Sequence, residues 1–278
     1  MHHIGAECFE RERCPLNSIH EFDQRTMTER KEQGIRLAKR LAELLNCSRS
    51  QAEQYIEGGW VRVNGVVQDS PQHRVTDERI ELDKDATLLD ILPMTILLHK
   101  PPGYTWDESQ GKAMPGASSL LDAAHRSAFD PSRIRLLSKH LKNQACVTPL
   151  ESGASGLLVF SQDFPIQRKL WTDANFVENE SIVEVQGAVD EETLDALNRP
   201  FMRRDRLVLH AKVALSKSNE KVTGLRFAAK GAEPGRIAML CEHYGLQVIG
   251  MKRIRVGRVP LADLPVGQWR FLQSFERF

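Results

Sequence analysis

The chain has 278 residues, 41% of them hydrophobic, with 38 Lys and Arg against 37 Asp and Glu. That length and apolar content suit one large domain plus a small one and exclude a disordered chain. The near-neutral total hides a segregation, because residues 199–278 hold 16 basic and 6 acidic side chains while residues 84–198 hold 10 and 16, which points to a polyanion partner for the last third. The five cysteines (Cys8, Cys14, Cys47, Cys146 and Cys241) are odd in number and irregularly spaced. They exclude a disulfide framework and fit a reducing cytoplasm. No apolar run has the length of a membrane span, and the first residues lack the pattern of a signal peptide.

In chain order, residues 1–33 are charged and weakly patterned and read as an N-terminal extension. Residues 34–83 form a compact unit. Leu37, Leu41, Leu44 and Leu45 have helical spacing within a predicted helix over 34–45. Ser48 is placed to cap a second helix over 49–57, with Gln51 closing a capping box and Gly58-Gly59 ending it. Residues 60–63 alternate as a strand, Asn64-Gly65 makes a tight turn, and 66–67 and 79–82 supply further strands. Residues 84–93 read as a linker. The larger unit, 94–278, starts with a strand over 94–98. Further strands are predicted at 157–160, 181–185, 208–215 and 225–228. Helices are predicted at 119–127, 165–173, 191–198 and 235–244. Strand runs without regular strand–helix alternation define an α+β fold with a mixed or antiparallel sheet.

Arg36, Lys39 and Arg40 lie three and four apart, so one helical face presents them together. Arg49 opens the next helix, where free N–H groups favour a phosphate, and Arg62 and Asn64 sit on the adjacent hairpin. The residues alone leave two readings open, a phosphate-binding surface or a solvated helix pair. The segments Arg36-Leu-Ala-Lys-Arg-Leu41, Ser48-Arg-Ser-Gln-Ala52 and Ile56-Glu-Gly-Gly-Trp-Val-Arg-Val-Asn-Gly65 resemble the S4 RNA-binding domain. The resemblance implies binding of structured RNA, often ribosomal RNA, and marks Arg36, Lys39, Arg49 and Gln54 as contacts.

The rest of the chain, from about residue 95 to 272, resembles the S4-containing pseudouridine synthases of ribosomal RNA. Leu97-Leu-His-Lys-Pro-Pro-Gly103 is similar to the family's opening strand, and Ser155-Gly-Leu-Leu-Val-Phe-Ser-Gln-Asp163 to the strand after its catalytic loop. Residues 241–270 are similar to its closing helix, strand and Leu-Pro-x-Gly-x-(Trp/Tyr)-Arg ending. The resemblance implies isomerisation of uridine without metal or organic cofactor, by an Asp that starts the reaction, a Tyr that serves as base and stacks on the flipped base, and a basic partner for the Asp. The sequence departs at each place. Thr148-Pro-Leu-Glu151 stands where the family has Gly-Arg-Leu-Asp, and one extra methylene changes reach by roughly 1 Å, enough to cost about a hundredfold in rate. Ser181 stands at the Tyr position and is a poor general base. Arg236 replaces a Gln at the start of the closing helix, and Ala238 and Met239 replace two Args; Arg236 is the candidate partner for Glu151. The expectation is an RNA-binding protein on a synthase scaffold, monomeric and cytoplasmic, whose isomerisation is lost or impaired. The alternative is an atypical synthase that uses Glu151.

Other residues have competing assignments. Lys100, beside a Pro-Pro-Gly turn, reads either as a phosphate contact or as a solvated lysine. Arg253 and Arg255 are predicted to share the outer face of a strand as a basic strip open to phosphate. Arg203, Arg204 and Arg206 form a second cluster on a predicted loop. Asp163 is placed to cap the helix at Pro165. Trp106, in a loop near the expected cleft, is a candidate for stacking on a base, whereas His99 and His140 have no ligand set beside them.

Overall fold

The computed structural model describes residues 34–88, 92–106, 114–204, 206–219, 221–231 and 233–278. The extension over 1–33, with Cys8 and Cys14, lies outside them. Two compact units divide between residues 91 and 92.

In the first unit, β1 (Ile35–Arg36) pairs with β4 (Arg74–Val75). Helix α1 spans Leu37–Leu45 and α2 spans Arg49–Glu57. A three-stranded sheet joins β2 (Val61–Val63) to β3 (Val66–Val67) and β5 (Ile80–Leu82). The capping box forms as the sequence predicts: Gln51 N donates to Ser48 Oγ at 3.2 Å, and Ser48 N donates to Gln51 Oε1 at 3.0 Å. The first helix starts later than predicted. Arg36 is its extended N-cap, and Leu37 N finds His73 O at 2.7 Å, so a neighbouring loop meets a donor that the helix itself leaves free. The expected leucine stripe is also corrected. Leu37, Ala38 and Leu41 are buried, but Leu44 and Leu45 are 53% and 37% exposed in the final turn.

The second unit is built on a mixed sheet of nine strands. Its main path runs β12 (Ala211–Ser218), β13 (Val222–Lys230), β9 (Glu178–Gln186), β14 (Val248–Val256), β8 (Ser155–Ser161), β6 (Thr95–Lys100) and β16 (Trp269–Phe271). Strand β7 (Ala145–Cys146) pairs with β8, and β15 (Val259–Pro260) with β14. Apart from the parallel β14–β8 pair, every pairing in this sheet is antiparallel. Alternate residues of the central strands feed different apolar clusters: Leu98 and Leu158 pack with Trp269, whereas Leu97 and Leu157 pack with Val256. The predicted strand at 208–215 is two strands. β11 (Arg206–Leu209) folds back on β10 (Phe201–Arg203), and β12 begins after His210.

Helices α3 (Ser138–Leu141), α4 (Phe164–Gln167), α5 (Glu191–Leu197) and α6 (Arg236–His243) flank these strands in sequence. The helix predicted over 119–127 is absent; a single 3-10 turn, Ala117–Leu120, is followed by bends. Asp122 Oδ1 accepts from both His125 N and His125 Nδ1, a local bond that competes with helix formation. Asp163 stands at the N-cap of α4 without a side-chain capping bond, so its predicted capping role is corrected; its own N–H is taken by Ser161 Oγ.

Two local features set up the functional region. Gly156 has φ +115°, and a Cβ there would overlap the Arg253 backbone. Only glycine lets β8 and β14 approach at this parallel pairing. In the β14–β9 ladder, Arg253 lies opposite Ser181 and Arg255 opposite Glu180, with a register shift between them. Ile254 is the extra residue of a β-bulge. Because Ser181 and Glu180 are consecutive, they point to opposite faces, and so do Arg253 and Arg255.

Candidate active site

The structure brings Glu151, Ser181 and Arg236 to one cavity of about 50 Å³, whose wall also includes Asn179, Pro234 and Arg253. Ser181 comes from β9, Arg253 from β14 and Arg236 from the first turn of α6. Glu151 comes from the loop before β8.

Arg253 is the organising group, a role that the sequence reading did not give it. Its predicted place on an outer basic strip is corrected: it is 4% exposed. Its Nε donates to Leu157 O at 2.8 Å, Nη1 to Pro149 O at 2.9 Å and Nη2 to Thr148 O at 2.6 Å. The bulge at Ile254 is the physical reason, and no local composition signal announces it. Burial pulls its guanidinium down to about 10, opposed by the fields of Cys146 and Glu151, so it stays charged at neutral pH. Arg255 does emerge from the sheet, but Glu178 and Glu180 hold it at 2.7 and 2.9 Å. The expected free strip is therefore absent at both positions.

Lys100 is likewise corrected as a surface contact. It is fully buried at the end of β6. Its Nζ donates to Pro101 O, Tyr104 O and Ser152 O at 3.0, 2.9 and 3.2 Å. Burial pulls it from 10.5 to about 8, assisted by the Arg253 charge and opposed by Glu151. Two buried cations thus tie down the carbonyls of Thr148, Pro149 and Ser152 around the Glu151 loop.

Glu151 itself accepts a 2.5 Å hydrogen bond from Gly235 N, at the N-cap of α6. A carboxylate there satisfies a free donor and meets the positive end of the helix dipole. The expected partner is engaged elsewhere: Arg236 Nε donates to Glu233 Oε2 at 2.8 Å, with Nη2 at 2.5 Å from the same oxygen. The groups in electrostatic contact with Glu151 are the buried Arg253 and Lys100. Ser181 is 5% exposed and contributes to the wall of the cavity. Trp106 does not line this cavity; it packs on Trp171 at 6.2 Å between ring centroids. His99 is buried, with Nδ1 2.6 Å from Leu264 O, and His140 is buried edge-on against Phe271.

In the first unit, Arg36, Lys39, Arg49, Arg62 and Asn64 are exposed, and Arg40 and Gln54 are half-buried. Arg49 pairs with Glu53 at 3.1 Å and Arg40 with Glu43 at 4.0 Å. Arg62 Nη1 donates to Gly65 O, and Asn64 Oδ1 accepts from Arg79 N across the hairpin. Since Arg36 precedes the helix, the predicted single-face triad reduces to Lys39 and Arg40, with Arg36 at the entry.

A family model for the S4 domain matches residues 35–79. The chain is 29% identical over 247 residues to an uncharacterized RNA pseudouridine synthase of Aquifex aeolicus, covering 87% of this chain and 94% of that protein. It is 28% identical over 253 residues to a putative chloroplastic ribosomal large subunit pseudouridine synthase of Arabidopsis thaliana, covering 88% of this chain but only 60% of the longer plant protein. A crystal structure of a pseudouridylate synthase superposes with a TM-score of 0.54 at 18% identity, covering 87% of this chain and 97% of that one; it supports the fold. The α+β architecture is thus that of an S4 domain followed by a pseudouridine synthase domain. The chain thus carries an S4 domain and is similar over most of its length to RNA pseudouridine synthases.

Proposed function

We propose that this protein binds structured ribosomal RNA, or its precursor, on a pseudouridine synthase scaffold whose isomerisation of uridine is lost or severely impaired. The observation that carries the reading is the state of the Glu151 carboxylate, which caps α6 through Gly235 opposite a serine rather than a ring. Isomerisation breaks the bond from C1′ to N1 of uracil and makes one from C1′ to C5, after the base has left the helix. That needs an unengaged carboxylate, a base and a stacking surface. Here the carboxylate is occupied, and Ser181 has neither a ring nor a pKa near neutrality.

RNA engagement is assigned to the unit at 34–83, through Arg36, Lys39, Arg40, Arg49, Gln54, Arg62 and Asn64, as phosphate-directed positioning. The protein acts as a monomer in the cytoplasm on this reading; among the described residues no helix is long and apolar enough to cross a membrane.

One observation favours the second reading, an atypical synthase: Glu151 does line the cavity, in the field of the buried Arg253. Incubation of purified protein with ribosomal RNA fragments, followed by mapping of pseudouridine and bound RNA in the same samples, decides between them. The expected result is salt-sensitive binding with no pseudouridine above a Glu151→Ala control. Pseudouridine that disappears with Glu151→Ala establishes the synthase instead.

A further inference from the structure

A second, larger groove opens beside the cavity. Arg203, Arg204, Arg206, Leu207 and Val208 form one wall from the β10–β11 hairpin, and Glu233, Pro234, Arg236 and Met239 form the other. It encloses about 950 Å³, within the range of sites that take nucleotide-sized ligands. Arg203, Arg204 and Arg206 are all exposed. Arg204 occupies the hairpin turn with φ +48°, an unusual conformation for a side chain of its size. Arg203 Nη1 lies 3.6 Å from Met239 Sδ, which ties the hairpin to α6. Among the described residues, neither Arg204 nor Arg206 has an ion pair.

Among the described residues, four guanidiniums therefore line a groove with one carboxylate, Glu233, and that carboxylate is bound to Arg236. Such a concentration of like charge is unfavourable unless an anion occupies it. Guanidinium forks match phosphate oxygens, and Leu207, Val208 and Met239 give the groove an apolar side suited to a sugar or base face. Glu233, Pro234 and Arg236 belong to both this groove and the Glu151 cavity. A chain threaded through the groove thus passes the cavity that Glu151 lines.

We propose that this groove is a second RNA site, which grips backbone phosphates flanking the nucleotide at Glu151, and that an RNA phosphate displaces Glu233 from Arg236. It rests on the RNA-binding reading above. Glu233 serves as the resident anion of the empty groove and competes with the incoming backbone. This gives a sign reversal that a merely structural ion pair lacks: removing arginines weakens binding, whereas neutralising Glu233 strengthens it.

The test uses the full chain and a labelled RNA hairpin of about 30 nucleotides with a uridine-rich loop, followed by fluorescence anisotropy across a KCl series. Arg203→Ala/Arg204→Ala/Arg206→Ala is expected to flatten the slope of log K against log[KCl] by about 2, at roughly 0.7 per lost phosphate contact on a single strand. The corresponding triple Lys variant keeps most of the slope. Glu233→Gln tightens binding several-fold. These side chains are exposed, and unchanged melting curves confirm that the variants fold. A triple Ala variant with the wild-type slope, or weaker binding by Glu233→Gln, overturns the proposal. The same series in an Arg36→Ala/Lys39→Ala/Arg49→Ala background separates the two ideas. Wild-type protein that fails to bind the hairpin sinks the RNA-binding reading and the groove with it. Wild-type binding with slopes that respond only to the Arg36 set removes the groove alone.

Discussion

The inner wall of the Glu151 cavity and its mouth are built on different terms. On the inner wall, Arg253 donates to three backbone carbonyls, Lys100 binds three more next to it, and Gly156 lets two strands close up beneath them. Each of these groups is irreplaceable by geometry. At the mouth, Glu151 caps a helix, Ser181 contributes a small hydroxyl, and Arg236 turns to Glu233. The inner wall is built from groups bound to main-chain carbonyls, whereas at the mouth Arg236 is bound to a side chain. The difference predicts that substitutions on the inner wall cost more stability than substitutions at the mouth.

The comparison breaks first at Arg253. Arg253→Ala leaves the carbonyls of Thr148, Pro149 and Leu157 unpaired in the interior, with an expected loss of about 5 kcal/mol of unfolding free energy in urea titrations. A loss under about 1 kcal/mol places Arg253 with the mouth instead. Gly156→Ala comes next, at about 3 kcal/mol, because φ +115° is strained for alanine and the added methyl meets main chain that has no room to yield.

Lys100 sharpens the comparison through pH. Its folded value of about 8 lies below the usual 10.5, so between those values the unfolded chain binds the extra proton. Stability therefore rises with pH across that window and is lowest where Lys100 is charged. Wild-type protein is expected to gain about 2 kcal/mol relative to Lys100→Met between roughly pH 7 and pH 10. Cys241, raised to about 11 by burial, contributes the opposite slope to both proteins and cancels in the difference. A flat difference between the two proteins refutes the burial argument. The smallest effect is at the mouth. Ser181→Ala should change stability by less than about 0.5 kcal/mol, and a cost above about 2 kcal/mol reveals a structural duty for its hydroxyl.

The sequence carried the local parts of this structure well. The capping box at Ser48 and Gln51 depends on four consecutive residues, and α2 begins and ends where those residues require. The strands β8 and β9 were visible as a continuous apolar run and an alternation. The helix expected at 119–127 failed because Asp122 offered His125 a competing turn. Within the site, Glu151, Ser181 and Arg236 were legible from the family pattern, and they do meet at one cavity. Their partnerships were not legible. Arg236 was matched to Glu151 by its place in the chain, whereas Glu233, three residues earlier, holds it within a single turn. Arg253 was sent outward by strict alternation, which cannot register a residue that the neighbouring strand does not count.

That uncounted residue, Ile254, gives β14 two reading frames. Arg253 and Arg255 are both odd-numbered, yet one keeps company with Ser181 and the other with Glu180. A regular strand of the same length would merge the frames: Arg255 would fall opposite Asn179, on the side of Arg253, and Glu178 would lose its cation on the other. The separation between charge kept inside and charge kept outside is thus written in the bulge at Ile254, not in the alternation of residue types along the strand.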